Sequence, residues 1–315
     1  MASLIAPSKH SPIEDAEALQ RAVKGWGADE KAIIAILGHR NGTQRTQIRQ
    51  AYYDLYQEDL IKRLESELSG DFERAMYRWI LEPAEREALL ANISMKNANM
   101  NYHVIVEISC VSSPDELFVV RRAYHDRYKR SMEEDVATNT TGHLRQQLLV
   151  GLVSSFRYGG SEVNARLAQS EADILHEAIK NKNHNHEEVI RILTTRSKTQ
   201  LVATFNCYRH DHGIAITKKL LDEGSDDFHK ALRIAISCIN DHKKYYEKVL
   251  RSAMETVGID EDALTRVIVT RAEKDMEDIK KVFYKRNTVH LEHAVAGKTS
   301  GDYKKFLLTL MAKEE

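Results

Sequence analysis

Apolar residues recur along this chain three and four positions apart, the spacing of one face of a helix, and seldom alternate as a strand's would. The first 82 residues contain five such stripes. Ser11-Pro12-Ile13-Glu14 reads as a capping box with proline at the first helical position. Leu19, Ala22 and Val23 continue that helix until Gly25 stops it. Asp29 is placed as the cap of a second helix carrying Ile33, Ile34, Ile36 and Leu37. Thr43 is placed as the cap of a third, with Ile48, Ala51, Tyr52, Leu55 and Tyr56. Leu60, Leu64 and Leu68 mark a short fourth helix ending near Gly70. Phe72, Ala75, Met76, Trp79 and Ile80 mark a fifth, closed before Pro83. Only four prolines interrupt the whole chain, so the pattern predicts an all-α protein.

The stripes repeat. Leu37-Gly38-His39-Arg40, with Gln44 and Ala51-Tyr52 behind it, returns as Leu193-Thr194-Thr195-Arg196 with Gln200 and Cys207-Tyr208. Ile268-Val269-Thr270-Arg271 with Val282-Phe283 is a third copy, and Ser109-Cys110-Val111-Ser112 with Ala123-Tyr124 a fourth that lacks the arginine. The same shifts align Ser69-Gly70-Asp71-Phe72 with 141–144, 225–228 and 300–303. Two distant landmarks served by one set of shifts define four units of roughly 70–80 residues. They are drawn at 12–82, 84–156, 166–240 and 243–314, with five helices each. Arg157-Tyr158-Gly159-Gly160-Ser161-Glu162, between the second and third, carries a glycine pair that reads as the internal linker, which implies two halves of two units each.

Charge and cysteines narrow the function. The formal net charge of −1 gives no general attraction to nucleic acid or to anionic lipid. Three cysteines in 315 residues make no disulfide framework and fit a reducing compartment. Neither a signal peptide nor a membrane span of ~20 apolar residues is visible. A cytoplasmic protein whose membrane contact is peripheral is expected.

Candidate chemistry centres on Val23-Lys24-Gly25-Trp26-Gly27-Ala28-Asp29 and on Glu67. Glycines let backbone carbonyls turn toward one point. If the first and fourth helices pack side by side, carbonyls of Val23, Gly25 and Gly27 meet the Glu67 carboxylate. That all-oxygen set suits calcium, with water or lipid phosphate completing its roughly six to eight ligands. Trp26, bracketed by glycines at a loop tip, suits the lipid interface, with Lys24 beside it.

With its four repeats, the Leu-x-x-Arg-x-x-x-Gln run at Leu37 to Gln44 and the Lys24-Gly25-Trp26-Gly27 loop, the chain resembles an annexin, and specifically a plant annexin. The resemblance covers the whole chain. It implies a curved all-α disc of four annexin repeats, docking on anionic phospholipid through calcium held between loops and lipid phosphates. A monomer in solution, able to oligomerise on membranes, is expected. So is reversible recruitment to the plasma membrane or endomembranes, serving trafficking or stress signalling. A calcium-permeable cation channel is the alternative; weak peroxidase or nucleotidase activity ranks below it, and an enzyme is not expected.

Residue by residue, the carry-over is uneven. Ala28 replaces the family's threonine. Unit II has Asn97, Asn99 and Asn139 at the glycine and acid positions, so no site is expected. Unit III has Asn181, Lys182 and Asn183, and its surviving Glu223 reads as a solvated surface acid. Unit IV keeps a loop at Met254-Glu255-Thr256-Val257-Gly258, but Lys298 takes the acid's place. Either Lys298 contacts lipid phosphate directly or the loop is silent, the latter being favoured.

Weaker signals are assigned bland roles. Gly297-Lys298-Thr299 lacks the upstream glycine of a P-loop, Glu292 standing there. His39, where plant annexins resemble one another, is read as structural. Cys110 and Cys238, a proposed redox pair in such proteins, are read as inert buried thiols. Trp79 is read as core. Ile190-Arg191-Ile192 matches a tripeptide linked to F-actin binding in the family, yet it falls on a helix where its isoleucines face inward.

Overall fold

The computed structural model describes the 315 residues apart from 26, 97–99, 155–156, 181–185, 224–225, 256–257 and 314–315, and the side chains of 144, 186 and 223. Among the described residues there are nineteen helices and no strand. They are α1 (Pro12–Val23), α2 (Glu30–Leu37), α3 (Gly42–Tyr56), α4 (Leu60–Glu67), α5 (Gly70–Ile80), α6 (Pro83–Lys96), α7 (Tyr102–Val111), α8 (Pro114–Tyr128), α9 (Met132–Asn139), α10 (His143–Val153), α11 (Ala165–Lys180), α12 (His186–Thr195), α13 (Lys198–His212), α14 (Ile216–Glu223), α15 (Asp227–Glu255), α16 (Glu261–Arg271), α17 (Met276–Asn287), α18 (Leu291–Ala296) and α19 (Gly301–Leu310). The sequence pattern implied twenty. The difference lies in α15, where two helices run on through a break at Asp241 (φ −160°, ψ 84°). No described helix is long and apolar enough to cross a membrane.

The helix starts follow local chemistry. The Ser11 hydroxyl accepts from Glu14 N at 3.3 Å, and the Asp29 carboxylate from Ala32 N at 3.0 Å. For α3 the cap is Asn41 rather than Thr43: its side chain accepts from Gln44 N at 2.9 Å, and the Gln44 side chain accepts from Asn41 N at 3.0 Å. Thr43 is instead inside the helix.

Two compact units emerge, and their membership corrects the expected halves. The first combines Met1–Arg86 with Lys243–Glu315; the second is Glu87–His242. The first repeat therefore packs with the fourth, and the second with the third. The glycine-bearing stretch after α10 lies within the second unit and is pinned there. Arg157 donates to Arg196 O at 2.8 Å and to Leu193 O at 2.6 Å, Tyr158 N to Thr195 O at 3.0 Å, and the Thr199 hydroxyl to Gly160 O at 3.2 Å. Glycine content suggested a free linker, but carbonyls at the end of α12 hold the segment down.

In the first unit the core centres on Trp79, which is fully buried, as expected. Its indole N–H donates to Leu37 O at 2.7 Å, and the Arg45 guanidinium stacks 3.8 Å above the ring. Phe306 of α19 meets it edge-on at 6.5 Å. Arg45 is itself buried and pairs with Glu273 at 2.9 Å, so α3 is tied to the turn after α16. The N-terminal segment is held by Ser3, whose N–H donates to Ala272 O at 2.9 Å and whose hydroxyl donates to Leu310 O at 2.5 Å.

In the second unit α11 packs along α13, burying Ala172, Leu175, Leu201, Phe205 and Tyr208 between the helix pairs. Ser113 and Glu116 form a full capping box on α8.

One contact recurs at equivalent places in all four repeats. Arg40 clasps Asp15 through two bonds of 2.7 and 2.8 Å, and Arg196 meets Glu171 at 2.7 Å. Where serine replaces the arginine, Ser112 donates to Glu87 at 3.3 Å. In the last repeat Arg271 lies 5.1 Å from the ring of Tyr246 and pairs with Asp275 instead. The arginine of the repeated Leu-x-x-Arg run thus ties the second helix of a repeat to its first.

Candidate metal centre

The predicted loop connects α1 to α2. Asp29 N donates to Ala22 O at 2.8 Å, which folds the loop back on the end of α1. Between these anchors Gly25 has φ +130° and Gly27 φ +90°, values that favour glycine. A Cβ at either position would meet nothing within 4 Å. Glycine is therefore needed here for its backbone angles and not for space. Lys24, Gly25 and Gly27 are exposed, and Trp26 lies outside the described residues.

Glu67 is the last residue of α4, which packs against α1. The structure links it to the loop through a residue the sequence reading missed. One nitrogen of Arg63, Nη2, donates to Val23 O at 2.7 Å and lies 3.1 Å from Glu67 Oε1. The carbonyl ending α1 and the carboxylate ending α4 thus converge on one cationic nitrogen. Arg63 was legible only as an (i, i+4) partner of Glu67, a pairing common on solvated helix faces. Nothing in the sequence aimed it at Val23, 40 residues away.

The donor set suits a hard cation: backbone carbonyls on freely rotating glycines plus one carboxylate, all oxygen. No group of three or more His, Cys, Asp or Glu among the described residues could hold a metal by side chains alone. A metal here would depend on carbonyls for most of its ligands.

The equivalent positions differ. Asn139 donates its side-chain amide to Asp135 O at 2.8 Å, within its own helix. Asn97, Asn99, Asn181, Lys182 and Asn183 lie outside the described residues, as does the Glu223 side chain. In the fourth repeat Asp260 N donates to Ala253 O at 2.9 Å, the same fold-back as at Asp29, and Gly258 has φ +86°. Met254 is buried, and Thr256 lies outside the described residues. Lys298 is exposed and lines a cavity of about 350 Å³ together with Glu30, Asp71, Glu261 and Asp302. Tyr303 at its wall is pushed up to about 12, by burial first and then by Asp71 and Glu261. Lys298 therefore shares its cavity with acids of which only Asp302 is near it in sequence.

The remaining signals fall into structural places. Cys110 and Cys238 are buried, and burial pushes both thiols up, so they stay protonated and poorly nucleophilic near neutrality. Lys198 beside them donates to Val111 O at 2.7 Å and Ser112 O at 2.8 Å; burial lowers it to about 8. His39 is half-buried with Nδ1 3.2 Å from Ile5 O. Ile192 is fully buried, while Arg191 is exposed and paired with Glu188 at 2.7 Å. The Thr299 hydroxyl is spent on Val295 O at 2.7 Å.

The model of the annexin family matches residues 14–79, 86–151, 170–234 and 245–310. The annexin-like protein RJ4 of Fragaria ananassa is 65% identical over 315 residues, spanning 100% of both chains. Among solved structures, annexin III superposes with a TM-score of 0.94 at 31% identity, covering 100% of this chain and 98% of that one. A calcium-bound annexin (Sm)1 superposes with a TM-score of 0.87 at 28% identity, covering 100% and 94%.

Proposed function

The chain belongs to the annexin family, among its plant members, and on that premise we propose that it binds anionic phospholipid membranes reversibly when calcium is present. The observation that carries this is the convergence of Val23 O and Glu67 Oε1 on one cationic nitrogen, at the foot of a loop whose glycines take positive φ. Val23, Gly25 and Gly27 offer carbonyl oxygens and Glu67 its carboxylate. Bound calcium supplies the positive charge toward lipid phosphate that a chain of net charge −1 lacks. Lys24 adds a point charge to the same face, and Trp26 an apolar body with one N–H for the headgroup region.

Every ligand but Glu67 is an uncharged carbonyl, so the site is weak alone and gains affinity when phosphate completes it. By linkage, lipid then tightens calcium binding as much as calcium tightens lipid binding. This makes attachment reversible over a change in calcium concentration, the behaviour of a cytoplasmic protein recruited to membranes during trafficking or stress signalling. The first repeat carries the function. Asn139 and Lys298 stand where the second and fourth repeats would need a carboxylate, and their loops are silent toward calcium.

The test is co-sedimentation with vesicles of phosphatidylserine and phosphatidylcholine, with and without calcium. The parent should sediment only with calcium, Glu67→Gln should require at least about tenfold more calcium, and Trp26→Ala should bind more weakly at equal calcium. Unchanged calcium dependence in Glu67→Gln would remove the first repeat from the mechanism.

A further inference from the structure

We propose that Arg63 is a built-in competitor of the metal: its guanidinium holds the two oxygens that the first-repeat site needs, and must release them before calcium binds. The inference rests on the reading that Val23, Gly25, Gly27 and Glu67 form that site.

The geometry is specific. Arg63 and Glu67 lie one turn apart on α4, and the same Nη2 spans to Val23 O at 2.7 Å and to Glu67 Oε1 at 3.1 Å. Val23 is the last residue of α1, so the guanidinium also caps a carbonyl that the helix leaves unpaired. Both oxygens face one positive nitrogen in the resting protein. A divalent ion reaching the same two oxygens would sit within a few ångströms of the guanidinium, and like charges that close repel strongly even near the surface. The conflict is relieved by moving the side chain.

Release is feasible. The Arg63 side chain is 29% exposed and Glu67 19%, so water can take over the guanidinium. Arg63 Nε is buried without a partner, so the resting arrangement leaves one donor of the fork unsatisfied. Arginine N-terminal to glutamate is also the weaker order for an (i, i+4) pair. The closed state is thus favourable but shallow. It acts as a threshold: calcium binding must overcome the Arg63 contacts, which raises the calcium concentration at which the loop responds.

Calcium binding by the full chain is measured by isothermal titration calorimetry without lipid, and the calcium needed for half-maximal vesicle binding by co-sedimentation. Arg63→Gln keeps a donor but no charge; Arg63→Ala removes both. Each should bind calcium about 5- to 30-fold more tightly than the parent, with the vesicle midpoint moving to lower calcium. Each should also melt at a lower temperature without calcium, because the end of α1 loses its cap. Tighter binding by a less stable protein separates competition from a merely structural role, since simple loosening of the loop would weaken binding. If the parent binds calcium through Glu67 but both Arg63 variants bind equally or more weakly, the competition is refuted and the site stands. If Glu67→Gln leaves calcium binding unchanged, the site reading and the competition fall together.

Discussion

Replacing Gly25 by alanine should cripple the proposed metal site while leaving the fold nearly untouched, and the structure says why the two effects separate. A Cβ at residue 25 would meet nothing within 4 Å, so no steric clash with the rest of the protein is created. What alanine cannot tolerate is the backbone angle, φ +130°. Holding an L-residue in such a region costs about 1–3 kcal/mol. Without calcium the loop is exposed and can relax to ordinary angles, so little of that cost appears in the melting temperature. The relaxed loop no longer aims its carbonyls at the ion, and the cost reappears as a smaller binding-competent population. A penalty of about 1–3 kcal/mol corresponds to roughly 5- to 150-fold weaker calcium binding. The control is Gly258→Ala, in the fourth-repeat loop at the place equivalent to Gly27, where φ is +86° and the space is equally open. It imposes a similar backbone penalty on a loop proposed to be silent, so calcium binding should not change. Calorimetric calcium titration and thermal melts of the three proteins decide the matter. Gly25→Ala binding within twofold of the parent, or equal losses in both variants, would refute the reasoning.

Two further outcomes follow from buried charge and from pH. Glu273→Ala leaves the Arg45 guanidinium buried without its carboxylate and removes an acceptor 2.6 Å from Gly42 N. Because Glu273 is itself 20% exposed and Arg45 keeps its bond to Arg40 O and its stacking on Trp79, we expect about 2–3 kcal/mol lost in urea unfolding, below the full buried-pair cost; a loss under about 0.5 kcal/mol would mean that Trp79 and Arg40 O carry the guanidinium alone. In the second unit His176 stacks on His212 at 3.7 Å, and its pKa is lowered by desolvation first and then by His212, with Lys180 and Lys219 adding to the effect and Glu177 opposing it. A histidine whose folded pKa is depressed leaves stability whole above the unfolded pKa of ~6.5 and drains it as pH falls toward the folded value. The melting temperature should therefore drop more between pH 7.5 and 5 in the parent than in His176→Gln, and identical profiles would rule His176 out as the source.

The helices and the fourfold repeat were legible because both rest on local signals: apolar spacing, capping residues and a shift that served two landmarks at once. The pairing of units was not. Tyr158-Gly159-Gly160 looks like a linker by composition, but what pins it is a set of carbonyls at the end of α12, and a backbone carbonyl leaves no mark in sequence. Asn41 was passed over as a cap for the nearby Thr43, since either residue type can accept from the first turn. Of the proposed site, Gly25, Gly27 and Glu67 are candidates by residue type, whereas Arg63 is hidden because its decisive partner is the main chain of Val23. Lys298 reads from sequence as a cation in the acid's place, and the acids lining its cavity, Glu30, Asp71, Glu261 and Asp302, come from four separate stretches of chain.

The four repeats also explain why one contact survives wherever it is needed and the other is proposed to survive once. The first-to-second-helix tie is Arg40 with Asp15, Arg196 with Glu171, Ser112 with Glu87, and Arg271 near Tyr246. Three chemistries fill the same place because a packing contact needs only some favourable interaction there, and its loss is shared with the surrounding core. A metal site has no such tolerance. Its ligands must meet at one point together, and a single carboxylate supplies all the formal charge. Asparagine at 139 removes that charge and turns its amide back on its own helix. Lysine at 298 reverses the charge outright. Small drift that a structural tie absorbs therefore silences a carbonyl-rich metal loop in one step. On that reasoning the role proposed for Arg63 in the first repeat is the reversible counterpart of the charge reversal that Lys298 fixes in the fourth.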